Sequence, residues 1–339
     1  MGNCTSASTS PEIQEDIQGA QDSILTVDEI LYSNGCPRLS SIYSQQGTKG
    51  VNQDAAVIYQ GFGTEEGSLL GVFDGHGMYG QIVSKFVRNR LPALILSQQE
   101  LFAQKEYGYT CKSESVIIRD WSRACMSAFK VTDKETKHLR NLDCSWSGST
   151  AVTIIVQGGD LIISNLGDSR AILGTISHND ELVTVQLTND LKPTLPDEAE
   201  RILKCNGRIF ALDSEPHLER VWLPNDDLPG LAMTRCFGDF GIKDYGIIAI
   251  PQMSIHRITN KDQFLVLATD GVWDVLTNEQ VASIVWSVRN EEKAAKAVVD
   301  AAVLTWKEKY PSAKIDDITV VCMFLQENSP PQTPQFGYR

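Results

Sequence analysis

The chain has 339 residues, of which 42% are hydrophobic and 22% charged, so it carries enough apolar material for a sizeable core. Its 30 Lys and Arg against 43 Asp and Glu give a formal net charge of −13. Nucleic acid is excluded as a main partner, because phosphate backbones bind basic stripes. The acidity either concentrates divalent cations near the protein or only keeps it soluble. No apolar run approaches the ~18 residues that span a bilayer, and no hydrophobic run follows Met1 as in a secretory signal.

Eight cysteines are scattered along the chain, with no C-x-x-C pair and no histidine at zinc-binding spacing. They are expected to be reduced thiols, as in a cytosolic protein.

The two ends of the chain have the composition of tails. Residues 1–35 contain six Asp or Glu and no Lys or Arg, which predicts a flexible segment with a short helix near residues 27–31. Residues 327–339 contain three prolines and are expected to be disordered. Residues 36–326 are therefore expected to form one domain.

Alternating apolar residues predict a β-meander in the middle of the chain, with strands at 150–156, 161–165, 169–173 and 182–187. Turns this short join antiparallel neighbours, since a parallel pair needs a crossover of about a dozen residues. Helical periodicity occurs elsewhere, at 78–96, 114–139, 291–308 and in a helix to about 288 that begins with a Thr277–Gln280 capping box. The pattern predicts an α+β fold in which helices cover sheet faces.

Four aspartates lie at the edges of strand-like apolar runs although they are far apart in sequence: Asp54, Asp74, Asp270 and Asp316. Glycine follows both Asp74 and Asp270, and it lets backbone approach closely. Carboxylates at strand ends commonly hold hard divalent cations, and four of them gathered together would repel one another without cations. The sequence therefore predicts a metal site.

Seven short motifs occur along the chain. Their shared order and spacing indicate a protein family more specifically than any single motif does. They are Lys49-Gly50-Val51-Asn52-Gln53-Asp54, Asp74-Gly75-His76-Gly77, Ser147-Gly148-Ser149-Thr150-Ala151, Asn165-Leu166-Gly167-Asp168-Ser169-Arg170, Thr234-Arg235-Cys236-Phe237-Gly238-Asp239, Ala268-Thr269-Asp270-Gly271-Val272-Trp273-Asp274 and Asp316-Asp317-Ile318-Thr319-Val320. Over about residues 40–325 this set resembles the type 2C family of metal-dependent serine/threonine protein phosphatases. Asn52-Gln53-Asp54 and Asp190-Leu191-Lys192-Pro193 are similar to a plant subgroup of that family.

The resemblance implies a central antiparallel β-sandwich flanked by helix pairs, a four-layer α-β-β-α arrangement, with two metal ions at one end. Asp74 would bridge both ions and the Gly75 carbonyl would bind the first. Asp270 and Asp316 would hold the second, and Asp54 would contact the site directly or through water. Oxygen ligands alone select Mg²⁺ or Mn²⁺ over zinc. Asp168 matches a position linked to a third, weaker metal, or it is an ordinary hairpin-turn aspartate.

The implied reaction is hydrolysis of phosphoserine and phosphothreonine in proteins by a metal-activated water, without a covalent phosphoenzyme. His76 would be the general acid for the departing alkoxide, unless it only hydrogen-bonds its turn. Lys49 stands where many relatives have a phosphate-binding arginine, although it could be a solvated lysine. Three motif residues are expected to be structural, namely Thr150, Trp273 in the core, and Asp239 as a buried turn carboxylate near Arg235.

Two positions depart from the family pattern. Gln53 replaces a frequent glutamate and Leu191 a frequent histidine, and neither is expected to abolish activity because every carboxylate expected to touch metal is retained. Two alternatives stay open: a non-catalytic phosphoprotein-binding module on the same scaffold, and a metal-dependent phosphatase of small phosphate esters.

The first six residues, Met1-Gly2-Asn3-Cys4-Thr5-Ser6, match the N-myristoylation pattern at Gly2. One myristoyl chain binds membranes only marginally, and the acidic tail offers no polybasic patch as a second signal. Palmitoylation of Cys4 would supply it. The N-terminal pattern thus predicts attachment to the cytoplasmic face of the plasma membrane, with an unmodified N-terminus as the alternative. The protein is expected to be a monomer, and the family resemblance implies phosphorylated proteins as its substrates.

Overall fold

Two β-sheets packed face to face form the centre of the protein. The computed structural model describes residues 30–32, 38–107, 114–140 and 142–326. Within these residues the strands are β1 Ile30–Tyr32, β2 Ser40–Gln45, β3 Ala55–Gln60, β4 Ser68–Phe73, β5 Gly75–Gly77, β6 Ser147–Ser149, β7 Ala151–Gln157, β8 Asp160–Leu166, β9 Arg170–Ile176, β10 Leu182–Gln186, β11 Arg208–Ala211, β12 Glu219–Trp222, β13 Pro229–Leu231, β14 Phe237–Gly238, β15 Gln252–Arg257, β16 Asp262–Ala268 and β17 Ile318–Phe324. The helices are α1 Gly80–Tyr107, α2 Glu114–Thr136, α3 Pro196–Lys204, α4 Asp270–Trp273, α5 Asn278–Ser287 and α6 Ala294–Lys309.

The strands are shared between a first sheet, in the order β1-β3-β4-β7-β8-β15, and a second sheet, in the order β10-β9-β16-β17-β2. Because successive strand residues point to opposite faces, each sheet contributes to two cores. Leu70 and Leu265 meet in the core between the sheets. Leu69 packs on the outer side with α1 and α2, and Phe264 packs on the other outer side with α5 and α6. The predicted four-layer α-β-β-α sandwich is confirmed.

The predicted meander differs from the structure at one turn. Strands β7 and β8 form an antiparallel hairpin and β9 and β10 form another, as expected. However, β8 belongs to the first sheet and β9 to the second, so the chain changes sheets at Gly167-Asp168-Ser169. All of β8 and the middle of β9 are buried, so neither strand shows an alternation that reveals which sheet it joins. Asp168 consequently lies on a connection between sheets, and the hairpin-turn interpretation of Asp168 is wrong.

Two further element predictions need correction. Residues 30–32 form a strand parallel to β3, whereas the sequence predicted a helix near 27–31 inside a flexible tail. Pairing with the open edge of the first sheet outweighs the local helical preference of this short segment. Helix α1 runs to Tyr107 rather than to residue 96, while the capping box of Thr277 and Gln280 is confirmed. The predictions for Gly2, Cys4 and residues 327–339 lie outside the described residues.

Two small sheets border one end of the sandwich. Strands β11, β12 and β13 form one of them, and β5, β6 and β14 form the other. No helix in the described part of the chain combines the length and the apolar character needed to cross a membrane.

Candidate metal centre and active-site cleft

Strand pairing brings the four predicted aspartates together in two pairs. In the first sheet Ala55 lies opposite Phe73, so Asp54 before β3 and Asp74 after β4 are neighbours. In the second sheet Ala268 lies opposite Val320, which places Asp270 after β16 near Asp316 before β17. The Thr269 hydroxyl donates to Asp54 Oδ2 at 2.9 Å, so both pairs lie at the same end of the sandwich.

Asp54 is buried and Asp74, Asp270 and Asp316 are partly buried, and neighbouring carboxylates raise the pKa values of Asp54, Asp74 and Asp270. Asp54 is 5% exposed, and burial together with the charges of Asp317 and Asp316 raises its pKa to about 8 despite hydrogen bonds from Thr319 and Thr269. Burial, and then the charge of Asp270, raises the pKa of Asp74 well above its usual value. Burial, and then the charge of Asp316, likewise raises the pKa of Asp270 well above its usual value. The negative charge concentrated here is therefore unfavourable unless a cation compensates it.

The donor atoms of this cluster fit hard cations. All are carboxylate or backbone oxygens, which Mg²⁺ and Mn²⁺ prefer. Among the described residues, no three of these carboxylates bring ligand atoms within 4.8 Å of one another. The cluster therefore surrounds a space between its two pairs instead of converging on a single point.

Gly75 is a position beside this cluster that has no room for a side chain. A Cβ atom there would come 2.4 Å from the carbonyl oxygens of Gln53 and Gly80. The backbone is held in this position by the Gly75 N–H, which donates to the Gln53 carbonyl at 3.2 Å. Only glycine, which lacks a Cβ atom, lets these backbone carbonyls approach so closely beside Asp74.

The cluster opens into a cleft of about 940 Å³. The aspartates that line it are Asp74, Asp168, Asp270, Asp274 and Asp316, its glutamates are Glu215 and Glu219, and its lysines are Lys49, Lys192 and Lys314. Part of the wall comes from β12 and β13, through residues such as Arg220 and Leu231. Asp54 lies behind this surface. The cleft thus combines acidic side chains with lysine ammonium groups.

His76 lies on β5 at the side of the cleft, with its side chain one-fifth exposed. Its Nε2 lies 2.5 Å from Asp239 Oδ2. Burial opposes the charged form, but the charge of Asp239 and its hydrogen bond outweigh burial and raise the pKa of His76. Asp239 was expected near Arg235. Asp239 is buried, as predicted, but its partner is His76, because the Arg235 guanidinium pairs with Glu198.

Lys49 pairs with Asp316 through its ammonium group, and its side chain is about half exposed. Burial lowers the pKa of Lys49, but Asp316, Asp270 and Asp74 together raise it. Lys49 therefore belongs to the acidic cluster and is not an isolated solvated lysine.

The sequence analysis left two acidic residues of this site without a role. Asp274 lies one helical turn after Asp270, and its N–H donates to the Asp270 carbonyl at 2.9 Å. The four-residue spacing in Asp270-Gly271-Val272-Trp273-Asp274 could have shown this proximity. Asp317 accepts hydrogen bonds from the backbone N–H groups of Gly47 and Gln53, both at 2.8 Å, and so holds the loop before β3. Long-range contacts of this kind leave no trace in sequence spacing.

The remaining predicted residues mostly form hydrogen bonds or ion pairs with other residues of the fold. Asp168 is buried, and Lys192 Nζ lies 3.7 Å from its Oδ2. Thr150 accepts a hydrogen bond from the Asp74 N–H at 3.1 Å, and Trp273 is buried with its indole N–H donating to Ala268. Gln53 donates through its side-chain amide to the Gly77 carbonyl at 2.9 Å and lines the cleft. Thr150 and Trp273 are thus structural, as predicted.

Residues 41–308 match the family model described as "Protein phosphatase 2C". The chain belongs to this family, and it is a metal-dependent serine/threonine protein phosphatase with the fold that the sequence motifs indicated.

Among its relatives is "Probable protein phosphatase 2C 72" from Arabidopsis thaliana, which is 51% identical over 336 residues, covering 98% of this chain and all of the relative. "Probable protein phosphatase 2C 64" from Oryza sativa subsp. japonica is 48% identical, covering 90% of this chain and 70% of the relative. A solved structure, that of serine-threonine phosphatase 2C from Toxoplasma gondii, superposes with a TM-score of 0.75 at 25% identity and covers 84% of this chain and 94% of that one. The resemblance to a plant subgroup is therefore confirmed.

Proposed function

We propose that this phosphatase uses two Mg²⁺ or Mn²⁺ ions held by Asp74, the Gly75 carbonyl, Asp270 and Asp316, with Asp54 contacting the site directly or through water. Two such ions lower the pKa of a water molecule and neutralise charge on the phosphoryl oxygens during in-line displacement. The observation that carries this proposal is the gathering of buried and partly buried, mutually repelling carboxylates at one end of the sandwich.

We further propose that His76 donates a proton to the departing serine or threonine oxygen. The Asp239 carboxylate, 2.5 Å from Nε2, keeps the ring protonated and fixes its orientation at the side of the cleft. Since His76 is part of β5, which directly follows Asp74, its ring stays close to the acidic cluster. The proton donor and the metal ligands are thus positioned by one stretch of backbone.

Lys49 is proposed to orient the phosphoryl group. Its ammonium is paired with Asp316, whose charge would be taken up by a bound dication, and Lys49 would then be available to an anionic substrate. A third, weaker ion is proposed at Asp168. This buried carboxylate has an Oδ1 without a hydrogen-bond partner among the described residues.

No cysteine is proposed to act as a nucleophile. Burial raises the pKa of the Cys125 thiol to about 12 and moves the pKa values of Cys236 and Cys322 well upward. These described thiols are therefore protonated at neutral pH, whereas cysteine nucleophiles act as thiolates.

Hydrolysis of a phosphothreonine peptide in ¹⁸O-labelled water tests the reaction. With Mn²⁺ present, a single turnover should place one ¹⁸O atom from solvent in the released phosphate, and acid quenching of a ³²P-peptide reaction should leave no label on the protein. Chelation of the metal should abolish phosphate release. A labelled protein intermediate, or undiminished release in excess chelator, would contradict the proposal.

At the N-terminus we propose acylation of Gly2 and Cys4 and attachment to the cytoplasmic face of the plasma membrane. The support is the sequence pattern together with the need for two lipid chains in stable anchoring. Gly2→Ala and Cys4→Ser should each move the full-length protein from the membrane to the soluble fraction of plant cells. Unchanged fractionation of Gly2→Ala would contradict the lipid anchor and leave the catalytic proposal untouched.

A further inference from the structure

We propose that His76, Cys236 and Asp239 form a second metal site, selective for Zn²⁺ and separate from the aspartate cluster. Among the described residues, these three are the one group of His, Cys, Asp and Glu side chains whose ligand atoms all lie within 4.8 Å of one another. Cys236 Sγ lies 3.1 Å from Asp239 Oδ2, and His76 Nε2 lies 2.5 Å from the same oxygen.

The ligand types distinguish this site from the acidic cluster. One imidazole nitrogen, one sulfur and one carboxylate oxygen make a set that zinc binds well, with a fourth position left for water. Mg²⁺ and Mn²⁺ prefer oxygen ligands alone, as the four aspartates provide. The two sites therefore differ in metal preference although His76 is only two residues from Asp74.

Buried polar atoms without hydrogen-bond partners support the binding of a cation at this site. Cys236 and Asp239 are fully buried. The Oδ1 atom of Asp239 and the Nδ1 atom of His76 are buried and have no hydrogen-bond partner among the described residues. A buried carboxylate oxygen without a partner is costly, and coordination of a cation would satisfy it.

The small sheet of β5, β6 and β14 holds the three residues in place. Gly148 on β6 lies opposite both His76 and Gly238, and Cys236 and Asp239 immediately flank β14. A Cβ atom on Gly148 would come 2.2 Å from Asp239 Oδ2 and 2.7 Å from His76 Nε2. Glycine at this position therefore lets the carboxylate and the imidazole meet.

The charges around the group allow a cation to bind. Lys243 is a nearby cationic side chain, and its Nζ donates to Asp133 at 2.9 Å and to the Cys236 carbonyl at 2.7 Å. Asp133 thus offsets the lysine charge. Binding would replace the Cys236 S–H bond by a sulfur–zinc bond, and the thiol proton would pass to solvent together with any proton on the coordinating ring nitrogen.

Zinc at this site would inhibit the enzyme, because coordination of His76 removes the group that we propose as proton donor. This consequence depends on the proposed function of His76. The metal site itself depends only on the three ligands.

Titration of the full-length protein with Co²⁺ in saturating Mg²⁺ tests the binding. Co²⁺ replaces zinc and reports a cysteine ligand through a thiolate-to-cobalt charge-transfer band in the near ultraviolet. The band should appear in the wild type, in Asp74→Asn and in the buried-thiol control Cys125→Ser, be lost in Cys236→Ser, and be abolished by added Zn²⁺. Absence of the band from the wild type, or its persistence in Cys236→Ser, would overturn the proposal.

Zinc inhibition supplies the second measurement, with each variant normalised to its own rate in Mg²⁺. Half-inhibition by Zn²⁺ should require at least ~10-fold more metal in Cys236→Ser than in Cys125→Ser, as loss of one ligand weakens a metal site by at least that factor. Equal sensitivity of the two variants would overturn the inhibitory role. Circular dichroism would confirm that both variants are folded. A cobalt band together with absent phosphatase activity would refute the proposed function but not the zinc site.

Discussion

The Thr269 hydroxyl joins the ends of the two sheets by donating to Asp54 Oδ2 at 2.9 Å. The same hydroxyl oxygen accepts the N–H of Thr319 on the neighbouring strand at 3.1 Å. One threonine thus connects β3 of the first sheet with β16 and β17 of the second. This link helps to keep the acidic cluster together in the metal-free protein, where the carboxylates repel one another.

The metal-free protein should lose stability as pH rises. The pKa of Asp54 is raised from 3.8 to about 8, so the folded state holds this proton more tightly than the unfolded state. The resulting stabilisation is complete below about pH 4 and is lost as pH rises through about 8, at up to ~1.4 kcal/mol per pH unit for this proton.

Urea unfolding in excess chelator measures this dependence, with Asp54→Asn as the comparison. The free energy of unfolding of the wild type should fall between pH 6 and pH 8 more steeply than that of the variant, and Mn²⁺ should reverse the trend. Parallel profiles for the two proteins would contradict the assignment to Asp54.

Replacing Asp74 by asparagine should affect the metal-free and metal-bound proteins in opposite ways. Without metal, Asp74→Asn removes a partly buried carboxyl group that its acidic neighbours repel and should raise the Tm by a few degrees (~2–4 °C per kcal/mol). With Mn²⁺, the variant should lack the metal-induced rise in Tm and lose phosphatase activity by at least ~100-fold. Thermal unfolding with and without Mn²⁺ checks both.

The exposed turn residue Asp180 provides a matched control, since Asp180→Asn changes the same charge far from the cleft. Its backbone φ of 58° is one that asparagine also adopts. It should behave as wild type in both conditions. An Mn²⁺-induced rise in Tm that survives in Asp74→Asn would show that Asp74 does not hold the metal.

Much of the fold and of the acidic cluster could be predicted from the sequence because the signals are local. Each metal-binding candidate lies directly beside a strand with a clear apolar pattern, and strand ends that pair come together. The α+β class and the positions of Asp74 and Asp270 at strand ends followed from such patterns, whereas the four-layer arrangement was implied by the family resemblance. The capping box at Thr277 was equally local.

The features that sequence reasoning missed depend on contacts between residues that are far apart in sequence. The transfer of the chain between sheets at Gly167 could not be predicted, because neither β8 nor the buried middle of β9 alternates between apolar and polar residues. Asp239 was placed near Arg235 by proximity in sequence, whereas strand pairing in the small sheet brings it to His76. The same pairing brings Cys236 to a histidine that is 160 residues away, which no zinc-spacing pattern would detect.

Lys49 should contribute to substrate use more than to metal binding. Lys49→Met removes one charged hydrogen-bond donor near the phosphoryl group and should lower kcat/KM for a phosphothreonine peptide by about tenfold, corresponding to ~1.4 kcal/mol. Lys49→Arg should retain the wild-type value or exceed it, because the guanidinium can bind phosphate through two parallel hydrogen bonds. Steady-state kinetics at saturating Mn²⁺ measures both variants. Equal kcat/KM values for Lys49→Met and wild type would exclude Lys49 from phosphate recognition.

Glu198 should be an important structural acid outside the cleft. It is 3% exposed and accepts hydrogen bonds from Arg201, Arg235 and Thr234. Burial raises its pKa, but these hydrogen bonds outweigh burial and lower the pKa from 4.5 to about 2. Its stabilisation is therefore present above about pH 4.5 and is lost as pH falls through about 2. Glu198→Gln should cost ~3–5 kcal/mol in urea unfolding at neutral pH, because two guanidinium groups lose their buried partner.

The control for Glu198 lies on the same helix. Glu200 pairs with Lys204 at the exposed surface, so Glu200→Gln should leave the free energy of unfolding nearly unchanged. A similar loss for both variants would indicate a general effect of charge on α3 rather than the buried ion pairs of Glu198.

Anomalous diffraction at the manganese edge, from crystals grown with Mn²⁺, tests the central claim most directly. Two strong peaks should lie between the aspartate pairs, within coordination distance of Asp74, Asp270 and Asp316, and both should weaken or vanish in Asp74→Asn. Crystals of the active enzyme with no manganese peak among these carboxylates would contradict the account.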